Sequence, residues 1–571
     1  MKNDRCSRRG FLAMAGSGMA VLPACSRANH AAGADTRDAD LVVHNAVVYT
    51  VDSRVPRAEA FAVKGDRFVA VGSNSDILGL VGKGTQTYDA RHMTITPGFM
   101  DCHNHAPGAE LLYEVIVGNP FSVEFVTIAS ILDKLRARAK QTPPGYWVRG
   151  YFYDEGKIKD DRFLNVHDLD QVSTVHPIEV VTRGGHASVL NSKAFALAHV
   201  NRDTPNPFGG YYDRFPNGDL NGRASDLARR VFANVGKRQT FTEQEKLQRD
   251  RDGLVYISKQ FVRVGLTSVH HEGGNLEALQ QLRARGELLH RVCYESNGAA
   301  LDAMISAGLM SGFGDEWIRL GPTSEHLVDG SLQDRTCWLS TPYIGITPPY
   351  RGNLVTTQKD LDDWVERAWR AGIRPNCHAN GDGAIDMYLK SLERCQRLFP
   401  RTDFRPKITH CALITDDLLK RIKALDAVPV PFTTYLYYNS DKFKYYGEEM
   451  MKRCLAFRSM LDAGIAVAVG TDFPPGPFDP RMGIQGMVTR TGYDGKTWGA
   501  NQRISGEEAL RISTLNGAYN SHEEKIKGSI TPGKLADFVV LADDLLRVDP
   551  EKIKDIQVVR TVVGGSTVYQ A

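Results

Sequence analysis

The stretch IRPNCHANGDGAIDMYLKSLERCQRLF, residues 373–399, decides the fold. A short apolar run ends in a polar cluster around His378, and a helical pattern begins directly after it. The same unit recurs: LTSVHH (266–271) precedes NLEALQQLRARGEL, KITHCAL (407–413) precedes DDLLKRIKAL, and IAVAVGTD (465–472) comes before a last helix. Strands alternating with helices in this way make a parallel sheet, because a parallel neighbour is reached only through a long crossover. The expected fold class is therefore α/β, a closed (β/α)8 TIM barrel over residues 95–519 that opens with TITPGFMD. A doubly wound open sheet is the alternative, but no G-x-G-x-x-G follows any of these strands.

Outside this region the period changes. ADLVVHNAVVYTVDS (39–53) and AEAFAVKGDRFVAVG (58–72) alternate short apolar runs with turn residues, and GKLADFVVLADDLL (533–546) and DIQVVRTVVGGSTVYQ (555–570) do the same. Each end alone supplies too few strands for stability, so 35–94 and 520–571 are expected to form one small β-sandwich domain together. After the first barrel strand the rhythm is interrupted. GYWVRGYFYDEG, PIEVVTRGGHASVLNS and NPFGGYYDRFPNGDLNG predict an inserted lobe at about 141–235, placed to cover a site.

Lysine and arginine total 70 against 67 acidic residues in 571, a net charge of +3. No strong field or basic run exists to draw nucleic acid, so a small, roughly neutral substrate molecule is expected. The N-terminus carries Ser7-Arg8-Arg9 before Gly10-Phe11-Leu12 and a modest apolar run, which resembles a twin-arginine export signal over residues 1–34. That implies the twin-arginine machinery as a partner and a periplasmic or secreted location. Ala32-Gly33-Ala34 suits simple cleavage; Leu22-Pro23-Ala24-Cys25 offers the alternative of a lipid anchor at Cys25 and a membrane-attached lipoprotein. Nine cysteines follow no disulfide pattern and include no C-x-x-C, so Cys102, Cys377 and Cys411 read as buried packing residues. Nothing in the sequence opposes a homo-oligomer.

Barrel enzymes place their chemistry at the C-terminal ends of strands, which makes those positions the ones to inspect. PGFMDCHNHAPG (97–108) ends the first with His103 and His105, two residues apart and so on one face. Later strands end at Glu325 in GPTSEHLVDGSL, at His378, at His410 and at Asp472. Each alone is unremarkable in a chain with 16 histidines; together, six metal-capable residues at successive strand ends form a candidate centre.

The order Asp-x-His-x-His, an acidic position before Asp-Gly-Ser, His-Ala-x-Gly-Asp, a strand ending in His, then Gly-Thr-Asp resembles the amidohydrolase superfamily. DGSLQDRT (329–336), CHANGDGAID (377–386), AVAVGTDFPPGPFDP (466–480) and KGSITPGKLADFVVLADD (527–544) are similar to its branch of N-substituted formamide deformylase and YtcJ-type hydrolases. The likeness runs from about Leu41 to the end and includes GGHASVLNSKAF (184–195). It implies that His103, His105 and Asp472 bind one metal, that His378 and His410 bind a second, and that Glu325 stands where most relatives carry a bridging carboxylated lysine. One or two divalent ions are therefore expected, zinc first, with manganese, iron or nickel fitting similar geometry. Asp472 is the expected catalytic acid and base. His186, His270, Asp329 and Tyr435 are further candidates for contact with substrate, Tyr435 as part of an aromatic wall in TTYLYYNSDKFKYY (433–446). The implied activity is hydrolysis of a C–N bond in an amide, formamide or cyclic amide. The alternatives are an ester, lactone or carbamate hydrolase with the same centre, and a non-catalytic exported binding protein.

Overall fold

The structure, a computed structural model, describes residues 39–571. The expected export signal, 1–34, and Cys25 lie outside the described residues. Among those described, no helix is long and apolar enough to cross a membrane.

Seven parallel strands carry the repeating part: β1 (Phe99–Asn104), β2 (Leu266–Glu272), β3 (Arg291–Ser296), β4 (Ile318–Thr323), β5 (Asn376–Ala379), β6 (Lys407–His410) and β7 (Val428–Val430). They form two sheets, one in the order β4-β3-β2-β1 and one running from His326–Leu327 through β5 and β6 to β7. The Thr323 N–H donates to Arg374 O at 2.8 Å, which links β4 to the entry of β5. IAVAVGTD adopts no regular strand, yet its backbone is bonded on both sides. Ala468 N and Gly470 N donate to Pro429 O and Pro431 O, while Cys102 N and Asp472 N donate to Val469 O and His103 O, all between 2.8 and 3.2 Å.

Helices flank these strands and bury one stripe each. In Gln358–Arg370 the buried side chains are Leu361, Val365, Ala368 and Trp369, the spacing of one helix face, and the Thr357 hydroxyl caps its start by accepting from Asp360 N. The seven described cysteines are all free and buried, as expected for packing residues.

The two chain ends share a sheet. Phe538–Leu541 pairs with Thr94–Pro97 on one side and Val558–Val563 on the other, and Val47–Tyr49 joins at Thr94–Pro97. A second, four-stranded sheet holds Leu41–His44, Ala60–Lys64, Arg67–Gly72 and Gln86–Asp89. Phe61, Phe68 and Phe538 meet in the core shared by these strands, with Phe61 edge-on to the other two at 5.3 and 5.0 Å. The expected opening strand TITPGFMD is thus divided. Thr94–Pro97 belongs to this terminal sheet, and Phe99–Asn104 starts the parallel set. Gly98 stands at the division because a Cβ there would meet Thr267 Oγ1 at 2.1 Å.

The interrupted region builds a six-stranded mixed sheet from Val115–Ile116 to Leu220–Asp226. It reaches further back than the expected 141–235, since Val115–Ile116 pairs with Gly150 and Tyr151.

Candidate metal centre

All six expected residues converge, five of them at or next to strand ends and Asp472 at the end of the extended segment 465–472. Oε2 of Glu325 lies 3.4 Å from His103 Nε2, 3.3 Å from His378 Nδ1 and 3.3 Å from His410 Nε2. Oδ1 of Asp472 lies 2.9 Å from His105 Nε2 and 3.2 Å from His103 Nε2. The two groups share His103 and are otherwise carried by different strands. Their geometry fits a divalent metal centre: His103–Glu325–His410 and His103–His105–Asp472 each bring one ligand atom per residue within 4.8 Å of the others.

Local sequence helps to aim these side chains. Asp101, two residues before His103, accepts from the backbone of His103 and Thr471 and from the Thr471 hydroxyl and Asn104 amide, which ties β1 to the segment bearing Asp472. His378 donates Nε2–H to Gly330 O at 3.0 Å, leaving Nδ1 to face Glu325. His410 and Asp472 have φ of 72° and 53°, a left-handed backbone uncommon outside glycine and concentrated at functional sites.

Buried polar atoms without partners test the fit. Both nitrogens of His103, Nδ1 of His410 and Oε2 of Glu325 lack any hydrogen bond, although all are buried. Leaving such atoms unsatisfied costs ~1–3 kcal/mol each, so a shared cation is the natural completion. Charge points the same way. Burial opposes the charged forms of His105 and His378, but Asp472 and Glu325 outweigh it and lift them to about 10 and about 9. His410, buried and beside His378, is pushed down to about 3.

An empty centre at pH 7 therefore carries protons on His105 and His378 that an entering ion must displace. Zinc titrated into metal-free protein at pH 7 should release about one or two protons per chain, and apparent affinity should weaken as pH falls from 8 to 6. Calorimetry in buffers of different ionisation enthalpy measures both; uptake independent of pH and buffer would contradict the assignment.

One residue at the centre escaped the sequence reading. Glu272 is the last residue of β2, directly beyond LTSVHH, and its Oε2 approaches His103 Nδ1 at 3.7 Å. Its other oxygen accepts from Glu325 N at 2.8 Å and from the Ser324 hydroxyl. Burial, with Glu325 nearby, pushes its carboxyl up to about 8. Period-2 alternation holds the missed signal: Glu272 shares the inward face of His270, and strand ends are where this architecture keeps its acids.

The four further candidates divide. His186 lines the cavity above the centre, its ring 4.9 Å from that of His378, and its Nδ1 is 2.7 Å from Asp226 Oδ1. The other three are not on the cavity wall. His270 is buried one layer deeper, with both ring nitrogens engaged by Glu295 and Ser521 at 2.8 Å. Asp329 accepts from the backbone of Asn380, Gly381 and Trp338, so it holds a turn. Tyr435 stacks on Phe432, which stacks on His410, each at 4.1 Å, so its ring backs a ligand instead of facing substrate. The aromatic wall comes from Tyr151 and Phe152 of the lobe. The cavity itself holds about 650 Å³, room for a small molecule, with Glu325 and Asp472 at its floor.

Comparison with known proteins agrees. The amidohydrolase family model matches residues 86–569. N-substituted formamide deformylase of Arthrobacter pascens is 26% identical over 550 residues, covering 94% of this chain and 99% of that protein. The putative amidohydrolase YtcJ of Bacillus subtilis is 26% identical over 548 residues, covering 92% and 99%. An uncharacterized metal-dependent hydrolase from Pyrococcus horikoshii superposes with a TM-score of 0.68 at 22% identity, over 89% of this chain and 99% of that one. With the match spanning nearly the whole described chain and the fold shared over the same span, this protein belongs to the amidohydrolase family.

Proposed function

We propose that the protein is an exported zinc hydrolase that cleaves a C–N bond in a small amide, formamide or cyclic amide. The carrying observation is the meeting of four imidazoles and two carboxylates, drawn from positions 103 to 472, around unpartnered buried nitrogens and oxygens. The names of the two bacterial relatives support the bond type. In this reading His103, His105 and Asp472 hold one ion, His378 and His410 a second, and Glu325 lies between them.

A closed eight-stranded barrel is supported by the backbone bonds of residues 468–472 to both β1 and the β7 segment. The division into a terminal sandwich (35–94 with 520–571), a barrel (95–519) and an inserted lobe is supported by the three sheet sets. Export to the periplasm rests on the twin-arginine sequence alone.

A divalent ion bound here supplies Lewis acidity, lowering the pKa of water from ~15.7 to about 7 and polarising the scissile carbonyl. The chain does the rest. Asp472 keeps Oδ1 toward His103 and His105, and its Oδ2, without a hydrogen bond among the described residues, takes the water proton and returns it to the departing nitrogen. Tyr151, Phe152 and Pro474 narrow the cavity and exclude bulk water.

The test is a panel of N-substituted formamides, anilides and matched esters, assayed with and without chelator. Chelator-sensitive release of amine, faster than hydrolysis of the matched ester, is expected. Turnover of esters alone would replace the amide reading with the ester, lactone or carbamate one. No turnover together with no stoichiometric metal would leave a binding protein.

A further inference from the structure

The cavity wall carries three arginines, and the chain does not satisfy all of their donors. Of its three arginines, Arg183 is fully engaged, its guanidinium donating to Asn119 O, Pro120 O and Pro475 O at 2.5 to 3.2 Å. Arg229 donates to Gly185 O and stands 3.6 Å from Glu179, but its Nε is buried with no acceptor. The side chain of Arg230, next in the chain, has no hydrogen bond or ion pair among the described residues and is exposed along the same wall. The wall's own carboxylates are not available to them. Asp226 is held by His186 at 2.7 Å and Asn353 at 2.5 Å, and Glu110 makes no ion pair with either arginine. Glu325 and Asp472 face the histidines of the centre.

Both arginines sit on one short turn of helix, Leu227–Phe232, entered through Asp226 at φ 46°. A non-glycine residue is strained there, and the surrounding contacts hold it, so the placement of the pair is built rather than floppy. The same cavity is also lined by the apolar side chains Val181, Leu227, Leu327 and Val355. The arginines, the apolar side chains and Glu325 and Asp472 of the centre all line one continuous space.

We propose that Arg229 and Arg230 receive an anionic group of the substrate, so that the molecules cleaved are amides bearing a carboxylate separated from the scissile bond by an apolar spacer. This rests on the hydrolase reading above and narrows its substrate class. A planar carboxylate matches the guanidinium fork, and the orphaned Nε of Arg229 gains an acceptor.

Binding and turnover are measured separately in zinc-loaded protein. Calorimetry compares 4-acetamidobenzoate with its neutral counterpart 4-acetamidobenzamide, and the same pair is assayed for hydrolysis. The carboxylate is expected to bind about tenfold more tightly, with the advantage falling as salt is raised. In Arg230→Gln the preference should drop toward one, through KM and not kcat. Equal affinity in the wild type overturns the proposal. A preference that survives both Arg230→Gln and Arg229→Gln also overturns it, since the anion is then held by the metal centre. Preferential binding without any turnover would sink the hydrolase reading while leaving this anion site standing.

Discussion

Replacing Asp472 by asparagine is expected to lower kcat/KM by about 10³-fold or more while most of the bound metal stays in place. The substitution is nearly isosteric, and asparagine tolerates the left-handed backbone that residue 472 adopts at φ 53°. The amide oxygen of asparagine can still approach His103 and His105, where the carboxylate now lies at 3.2 and 2.9 Å. What disappears is the negative charge and the ability to take a proton, so chemistry fails before architecture does. Steady-state rates on a responsive formamide, with metal content by mass spectrometry and far-UV circular dichroism, check all three parts. Activity above about a tenth of wild type would remove the proton-shuttle role.

Metal removal carries the second large effect. Chelation should abolish turnover and lower the melting temperature by about 3 °C per ion removed, because an ion supplied at a thousand times its Kd adds about 4 kcal/mol to the folded state of so long a chain. Re-addition of zinc should restore both. Glu325→Gln should hold fewer ions and show a smaller thermal shift on loading, since Glu325 Oε2 is the atom nearest three imidazoles at once. A variant that loads the same number of ions with the same shift would assign the bridging position elsewhere, with Glu272 the next carboxylate in reach.

The parts of this molecule written in local pattern were readable in advance. Strand-then-helix units, with attention to strand ends, single out His103, His105, Glu325, His378, His410 and Asp472, and the structure brings these side chains together. What failed was side-chain direction over longer range. In sequence His270 reads as a pocket residue because it lies near a strand end, but the strand runs on to Glu272, which leaves His270 one layer down against Glu295 and Ser521. Tyr435 looked like a wall because aromatic residues crowd its loop; it packs instead behind Phe432 and His410, a contact no local pattern encodes. The unpaired Arg230 had no sequence signal at all, since its meaning comes from the absence of a neighbour.

The sheet that joins the two termini has a consequence for synthesis. Thr94–Pro97 pairs with Phe538–Leu541, so its partner is made more than four hundred residues later. At the usual ~5–20 residues per second the ribosome leaves that edge open for roughly 20 to 90 s. During this interval the nascent chain displays unpaired amides and the apolar faces of Phe61 and Phe68, which other chains can capture. Emergence of Phe538–Leu541 is what lets that edge close.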